Sequence, residues 1–322
     1  MIKLFGIHFN RPDFVAIQYA TLKAFVQDDF EYVVVNNANH PQIYDLIERE
    51  SAALNIKTIR VAENINPQAA AQYPGYHHAY AMNSLIESEM RGSKDICVIL
   101  DGDAFLLRSY SFEDRMRDHQ LLGSLQQRKG RYWLTPVVLG MKPSELQDFH
   151  EINLIGSHIC NLTPSDYSKD VGFYPKKVGN EYLFDCPHCS GQVFLDEESH
   201  VPLDTGGQLY AYLKSHDNVR VKKIPTTSHI TEDCIEWFPE LVKLGYEPDF
   251  RFEIYDNSFL HYCRSSNWDG RDRDFHERKT TLLVNVVKQA MSGVDFTSAR
   301  YELPSNDWNS WPPHALKNHS VE

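Results

Sequence analysis

The chain has 322 residues, 42% of them hydrophobic and 12% aromatic, which supplies a packed core and excludes a disordered chain. Its length fits one large domain or two ordinary ones. Lys and Arg number 32 against 44 Asp and Glu, a formal net charge of −12, so a general basic footprint for nucleic acid or an anionic membrane is excluded.

The pattern begins as alternating strands and helices. Ile2–Phe9 reads as a strand, and Asp13–Val26 as a helix with Phe14, Ile17, Leu22 and Phe25 on one face. Tyr32–Val35 is a β-branched run ending at Asn36-Asn37, Pro41–Leu54 is helical, and Ile56–Val61 is a short strand. Tyr76–Met90 reads as a helix stopped at Gly92, and Ile96–Leu100 is a wholly apolar strand ending at Asp101-Gly102-Asp103. Strands Leu121–Leu125 and Tyr132–Met141 follow, expected to be antiparallel, then a short helix at Pro143–Phe149 and an irregular stretch over 151–200. A helix at Leu209–Leu213 precedes a strand at Val219–Ile224, and the tail from Ser305 has no periodicity. No internal repeat is found.

This order predicts an α/β fold: a mostly parallel sheet with helices on both faces, plus a smaller antiparallel or irregular region. Ligands of such sheets sit at the carboxyl ends of the strands. The polar residues found there are His8, Asn10 and Arg11, then Asn36 and Asn37, then Asp101 and Asp103.

Asp101-Gly102-Asp103 carries the most chemistry. Two carboxylates separated by one flexible glycine can turn toward one oxygen-loving cation, Mn²⁺ or Mg²⁺. That ion would neutralise a diphosphate, which an acidic chain cannot otherwise do without a local basic cluster. The competing reading is a tight Asp-Gly turn.

With these residues in place, the sequence resembles nucleotide-sugar glycosyltransferases of the GT-A fold, with their DXD motif at Asp101-Gly102-Asp103. Gly75–Leu107 is similar to the block of the inverting synthase-type family, with Asn83 at its helix Asn position. Val33–His40 is similar to the base-binding strand end, with Asn36 or Asn37 in place of the usual acidic residue. Leu203–Leu209 resembles the acidic motif before the acceptor-side helix, which would make Asp204 the general base; the same residue also reads as a helix cap. His261–Trp268 is spaced like the C-terminal motif of glycogenin-like enzymes, although the usual Gly and Lys are missing. The resemblance makes His261 the third metal ligand and Arg264 a phosphate contact. It covers about residues 1–225, with one further motif near 261.

The resemblance implies a metal-dependent glycosyltransferase with a nucleoside diphosphate-sugar donor and a carbohydrate or other hydroxyl acceptor. It divides the chain into 1–107, the donor half; 108–268, the acceptor and catalytic half; and 269–322, a C-terminal helix and loosely ordered tail. Two alternatives stand beside it. One is a haloacid-dehalogenase-like phosphohydrolase with Asp101 as nucleophile. The other is a non-catalytic carbohydrate- or metal-binding module.

Six cysteines are present. The N-terminal apolar run breaks at His8 without a signal-type cleavage site, and no stretch reaches membrane-spanning length. A cytoplasmic location and reduced thiols are therefore expected. Cys186-Pro187-His188-Cys189, with His158 and Cys160 upstream, offers four ligands for a structural Zn²⁺; the same cysteines also read as ordinary buried thiols.

Overall fold

The computed structural model describes residues 1–38, 41–61, 76–128, 131–154, 158–159, 176–178, 181–186, 191–194, 201–202, 205–227, 230, 238–263, 265 and 273–292. In chain order the elements are β1 (Ile2–His8), α1 (Pro12–Phe25), β2 (Phe30–Asn36), α2 (Pro41–Ala53), β3 (Lys57–Arg60), α3 (Tyr76–Leu85), β4 (Ile96–Asp101), β5 (Ala104–Leu106), α4 (Phe112–Met116), β6 (Leu121–Arg128), β7 (Arg131–Met141) and β8 (His158–Ile159). Then come β9 (Lys176–Val178), β10 (Glu181–Cys186), β11 (Gly191–Phe194), β12 (Val201–Pro202), α5 (Leu209–Ser215), β13 (Val221–Ile224), β14 (Thr226–Thr227), α6 (Phe238–Lys243), β15 (Glu253–Tyr255), β16 (Phe259–His261) and α7 (Arg273–Ala290).

The fold is mixed α/β, built on a mostly parallel seven-stranded sheet of order β13-β6-β7-β4-β1-β2-β3. β1 and β2 run parallel from Ile2 opposite Phe30 to His8 opposite Asn36, and β2 is parallel to β3. β6 and β7 are antiparallel, as expected, with an irregularity between Leu122 and Ser124. A separate antiparallel sheet has the order β14-β15-β16-β5.

The chain forms two compact units that alternate along the sequence: Met1–Arg60, Leu100–Asp114 and Ile224–Glu322 make one, Val61–Ile99 and Arg115–Lys223 the other. In the first, the core includes Phe14 and Ile17 of α1, Phe105, Phe252, Leu260 and Tyr262, and Leu282, Leu283, Val286 and Val287 of α7. That last spacing is one helical face. α1 starts with proline in its first turn, where the missing N–H costs nothing. In the second unit, Trp133, Leu134, Val138 and Leu139 of β7 are buried, and α5 contributes Leu209 and Tyr212.

Two expectations need correction, and a third, the helix over Tyr76–Met90, holds with a change in its last turn. Pro143–Phe149 is not one helix but part of two 3₁₀ turns, Pro143–Glu145 and Phe149–Glu151, because the backbone is already extended at Leu146 and Asp148 adopts a left-handed φ of 48°. Tyr76–Met90 is helical throughout but changes to a π-helical turn at Ile86–Met90. The stretch 151–200 contains strands, including the antiparallel set β11-β10-β9; segments of two to six residues are too short for alternation to be read. Among the described residues, no helix is long and apolar enough to cross a membrane.

A candidate metal centre and its surroundings

β4 ends its buried run Cys97–Leu100 at Asp101. Gly102 then turns the chain against β1: its N–H donates to the Ile7 carbonyl at 2.9 Å. A Cβ there would sit 2.6 Å from that oxygen and 2.8 Å from His8 Nδ1, so only glycine fits between the two carboxylates. The Asp103 carbonyl in turn accepts the Tyr262 N–H at 2.8 Å.

Gln18 secures the turn from α1. Its amide Nε2 donates to the carbonyls of Asp101 and Ala104, at 2.7 Å each. Its Oε1 accepts the Tyr32 hydroxyl at 2.6 Å, and the Tyr32 oxygen lies 2.8 Å from His8 Nε2. Since the tyrosine proton goes to Gln18, His8 Nε2 is the donor to Tyr32. Burial pushes the His8 imidazole down to about 4, against the opposing pull of Gln18, Asp103 and Asp13. The ring is therefore neutral at pH 7, and its Nδ1 carries the lone pair. Gly6 makes room for this network, because a Cβ there would collide with the Tyr32 hydroxyl and Gln18 Oε1.

The third group comes from the separate antiparallel sheet. His261 pairs with Ala104 on one side and with Glu253 on the other. Its Nε2 lies 3.1 Å from Asp103 Oδ1 and 3.7 Å from Asp101 Oδ2, and its Nδ1 lies 2.9 Å from Glu253 Oε2. Burial alone would lower the His261 pKa, but the charge and hydrogen bond of Asp103 and the bond to Glu253 raise it well above the usual histidine range. Burial alone would raise Asp103; the charge and hydrogen bond of His261, a hydrogen bond from Ser265 and the charge of Lys279 instead hold its carboxyl well below the usual carboxylate range. Ligand atoms of Asp101, Asp103 and His261 all lie within 4.8 Å of one another, so the three could hold one ion.

The other residues singled out in the sequence divide by what they touch. Arg11 is buried in a bidentate pair with Asp13, at 2.9 and 2.6 Å, and its guanidinium stacks 3.6 Å over Phe14. Asn36 donates to the Tyr44 carbonyl and to Glu48, both at 3.1 Å, which ties β2 to α2. The Asn37 side chain is buried, yet neither of its amide atoms has a hydrogen-bond partner among the described residues, and the same holds for His8 Nδ1. Asn10 is buried with a φ of 54°. In the second unit, Asn83 donates to Asn153 at 2.7 Å and accepts the Leu154 N–H at 2.9 Å.

Asp204 and Arg264 lie outside the described residues. The N-cap of α5 is Gln208. Of the zinc candidates, Cys160 and Cys189 lie outside the described residues, as do the side chains of His158 and Cys186.

Sequence reasoning missed Gln18, Glu253, Tyr255 and Lys279. Tyr255 donates to Glu253 Oε2 at 2.9 Å. Lys279 is buried on α7, with Nζ donating to the Cys263 carbonyl at 2.7 Å and lying 4.1 Å over the Tyr262 ring. A polar residue in an apolar helical stripe was the one available signal, at Gln18.

No protein-family model and no curated protein sequence matches the chain. Among solved structures, the galactosyltransferase LgtC in complex with donor and acceptor sugar analogues is similar over 47% of this chain and 62% of that one, at 15% identity and a TM-score of 0.33. An active-site mutant of LgtC aligns over 47% of this chain and 61% of its own, with the same identity, 15%, and TM-score, 0.33. The match thus spans less than two thirds of those galactosyltransferase chains.

Proposed function

We propose that the chain is a metal-dependent glycosyltransferase, moving a sugar from a nucleoside diphosphate-sugar to an acceptor hydroxyl. The observation that carries this reading is the convergence of Asp101, Asp103 and His261, with ligand atoms within 4.8 Å of one another at the end of a buried strand. Two carboxylates and one imidazole form a donor set suited to Mn²⁺ or Mg²⁺. When bound, such an ion supplies charge neutralisation for a departing diphosphate.

Each residue then has a task. Asp101 and Asp103 hold the ion through oxygen, and His261 through Nε2, with Glu253 accepting the Nδ1 proton and so fixing the ring's orientation. Asn37, whose amide atoms have no partner among the described residues, offers a donor and an acceptor to a nucleobase edge, and His8 braces the neighbouring strand end through Tyr32. Asn10 and Asn36 shape that end, and Asn36 does so through its bonds to α2. Arg11, paired with Asp13, braces the β1–α1 turn. Asn83 fixes the backbone at Leu154, and Asp204 takes the proton of the acceptor hydroxyl. Arg264 meets the diphosphate. An imidazole set against the acidic pair favours cation binding over attack of Asp101 on phosphorus.

A thermal-shift panel tests the reading. Nucleoside diphosphates and nucleotide-sugars are added with and without Mn²⁺, since a ligand at 100 times its Kd stabilises the native state by about 2.7 kcal/mol. The expected result is a base-selective shift that needs Mn²⁺, with release of nucleoside diphosphate once an acceptor is supplied. No shift for any nucleoside diphosphate in the presence of Mn²⁺ would overturn it.

A further inference from the structure

The β15–β16 hairpin and the residue just past it present a second donor set, which shares His261 with the first and adds a thiol that glycosyl transfer does not use. Glu253 stands directly across the antiparallel register from His261, and Cys263 follows His261 by two residues, just past the end of β16, with a φ of 59°. Ligand atoms of Glu253, His261 and Cys263 lie within 4.8 Å of one another. The two nitrogens of one imidazole thus serve different chemistries. Nε2 faces the carboxylates of Asp103 and Asp101, at 3.1 and 3.7 Å, and Nδ1 faces Glu253, at 2.9 Å, in the group that includes a thiol.

We propose that Glu253, His261 Nδ1 and Cys263 form a second cation site, selective for a thiophilic ion such as Zn²⁺, whose occupancy excludes a hard cation from Asp101, Asp103 and His261. Sulfur selects zinc over manganese or magnesium, which prefer all-oxygen or oxygen-rich sets. A tetrahedral ion with bonds of about 2.0–2.3 Å sets its ligands roughly 3.3–3.8 Å apart, so no pair has to close by more than about an ångström, while Glu253 Oε2 and His261 Nδ1, 2.9 Å apart, open slightly. Three protein ligands leave one coordination position for water. As the ion binds, the Cys263 thiol proton and the Nδ1 proton that His261 donates to Glu253 both pass to solvent, the Nε2 proton stays, and the freed Nδ1 lone pair and Glu253 carboxylate turn to the ion. Three carboxylates, of Asp101, Asp103 and Glu253, surround the site, and the neighbouring ammonium of Lys279 is held by the Cys263 carbonyl.

The exclusion follows from the ring itself. A neutral imidazole has one lone-pair nitrogen. An ion on Nδ1 leaves the proton on Nε2, where it is donated to Asp103, so His261 ceases to be available to the acidic pair. This half rests on the hard-cation reading of the preceding section; the sulfur site does not.

The experiment uses the full chain, reduced with a phosphine, and Co²⁺ as a spectroscopic probe for zinc. The wild type is expected to show a sulfur-to-cobalt charge-transfer band that one equivalent of Zn²⁺ abolishes. The band should disappear in Cys263→Ser, and also in Cys263→Ala, run alongside in case one variant fails to fold. It should persist in Asp103→Asn. Mn²⁺ binding, followed by electron paramagnetic resonance, is expected to weaken about tenfold or more after Zn²⁺ loading in the wild type, but not in Cys263→Ser. An undiminished band in both cysteine variants would overturn the site. Loss of the band in folded Asp103→Asn would show one site rather than two. Unchanged Mn²⁺ affinity beside an intact band would overturn the exclusion. A wild type that takes cobalt with the sulfur band but never binds Mn²⁺ would support the sulfur site and sink the hard-cation reading instead.

Discussion

Two hydrogen-bonded networks hold the acidic turn, and they are built differently. Gln18, Tyr32 and His8 are neutral and buried, and they grip backbone: two carbonyls of the turn accept one amide. Asp103, His261 and Glu253 are ionisable, and they grip each other through side chains. A neutral network with its roles fixed has no reason to rearrange when a ligand comes. A chain of carboxylate, imidazole and carboxylate can exchange a proton for a metal ion without moving the backbone. The first fixes where the carboxylates are, and the second decides what they hold.

The largest expected effect breaks the second network. Asp103→Asn should weaken Mn²⁺-dependent nucleoside diphosphate binding by about 100-fold or more, since the loss of even an outer-sphere partner commonly costs 10–100-fold. Calorimetric titration with Mn²⁺ present checks this, and near-normal affinity would remove Asp103 from the metal site.

Acid tests the first network. His8 is held neutral with a pKa of about 4, against 6.5 when unfolded. Between those values the unfolded chain binds more protons, so this group's stabilisation is present above pH 6.5 and is lost as pH falls through 4. The lost contribution is on the order of 3 kcal/mol. His8→Gln, which retains a donor for Tyr32, should flatten the dependence of the urea midpoint on pH in that window. Identical slopes for variant and wild type would show that His8 is not buried as a neutral ring.

Gln18→Leu keeps an apolar face on α1 but removes the donor to both carbonyls and the acceptor for Tyr32. A cost of about 2–3 kcal/mol is expected in equilibrium unfolding; a loss below roughly 0.5 kcal/mol would mean that water replaces the amide.

Glu253→Gln is the mildest change. An amide can donate to Nδ1 as readily as accept from it, so the imidazole loses its enforced tautomer. Mn²⁺ affinity should drop about tenfold, with a change in the ¹⁵N shifts of His261. Unaltered shifts would show that Asp103 alone orients the ring.

These two networks were not equally legible in the sequence. The acidic pair announced itself, because a wholly apolar run that stops at Asp-Gly-Asp has few alternatives. His261 was legible only through a partial likeness to a motif. Glu253 was not, because β15 has three residues and its partner is reached across a hairpin. Gln18 was hidden for another reason: its acceptors are carbonyls 83 and 86 residues away, and backbone atoms leave no mark in a sequence. At Asn36-Asn37, spacing offered two equivalent amides. Only the packing of α2 separates them, engaging Asn36 and leaving Asn37 with both amide atoms unpartnered among the described residues.

The stitching of the turn to its neighbours has a consequence in time as well as in space. The Gly102 N–H is bonded to Ile7 and the Tyr262 N–H to Asp103, so residues from three distant parts of the chain close around two aspartates. Neither amide can meet solvent deuterium unless a strand edge lets go. Their exchange therefore reports cooperative opening of the segment rather than fraying of a loop. The carboxylates are carried by backbone bonded both to β1 and to the residue after β16, so slow exchange of these two amides is expected, and an ion bound there would meet backbone already in place.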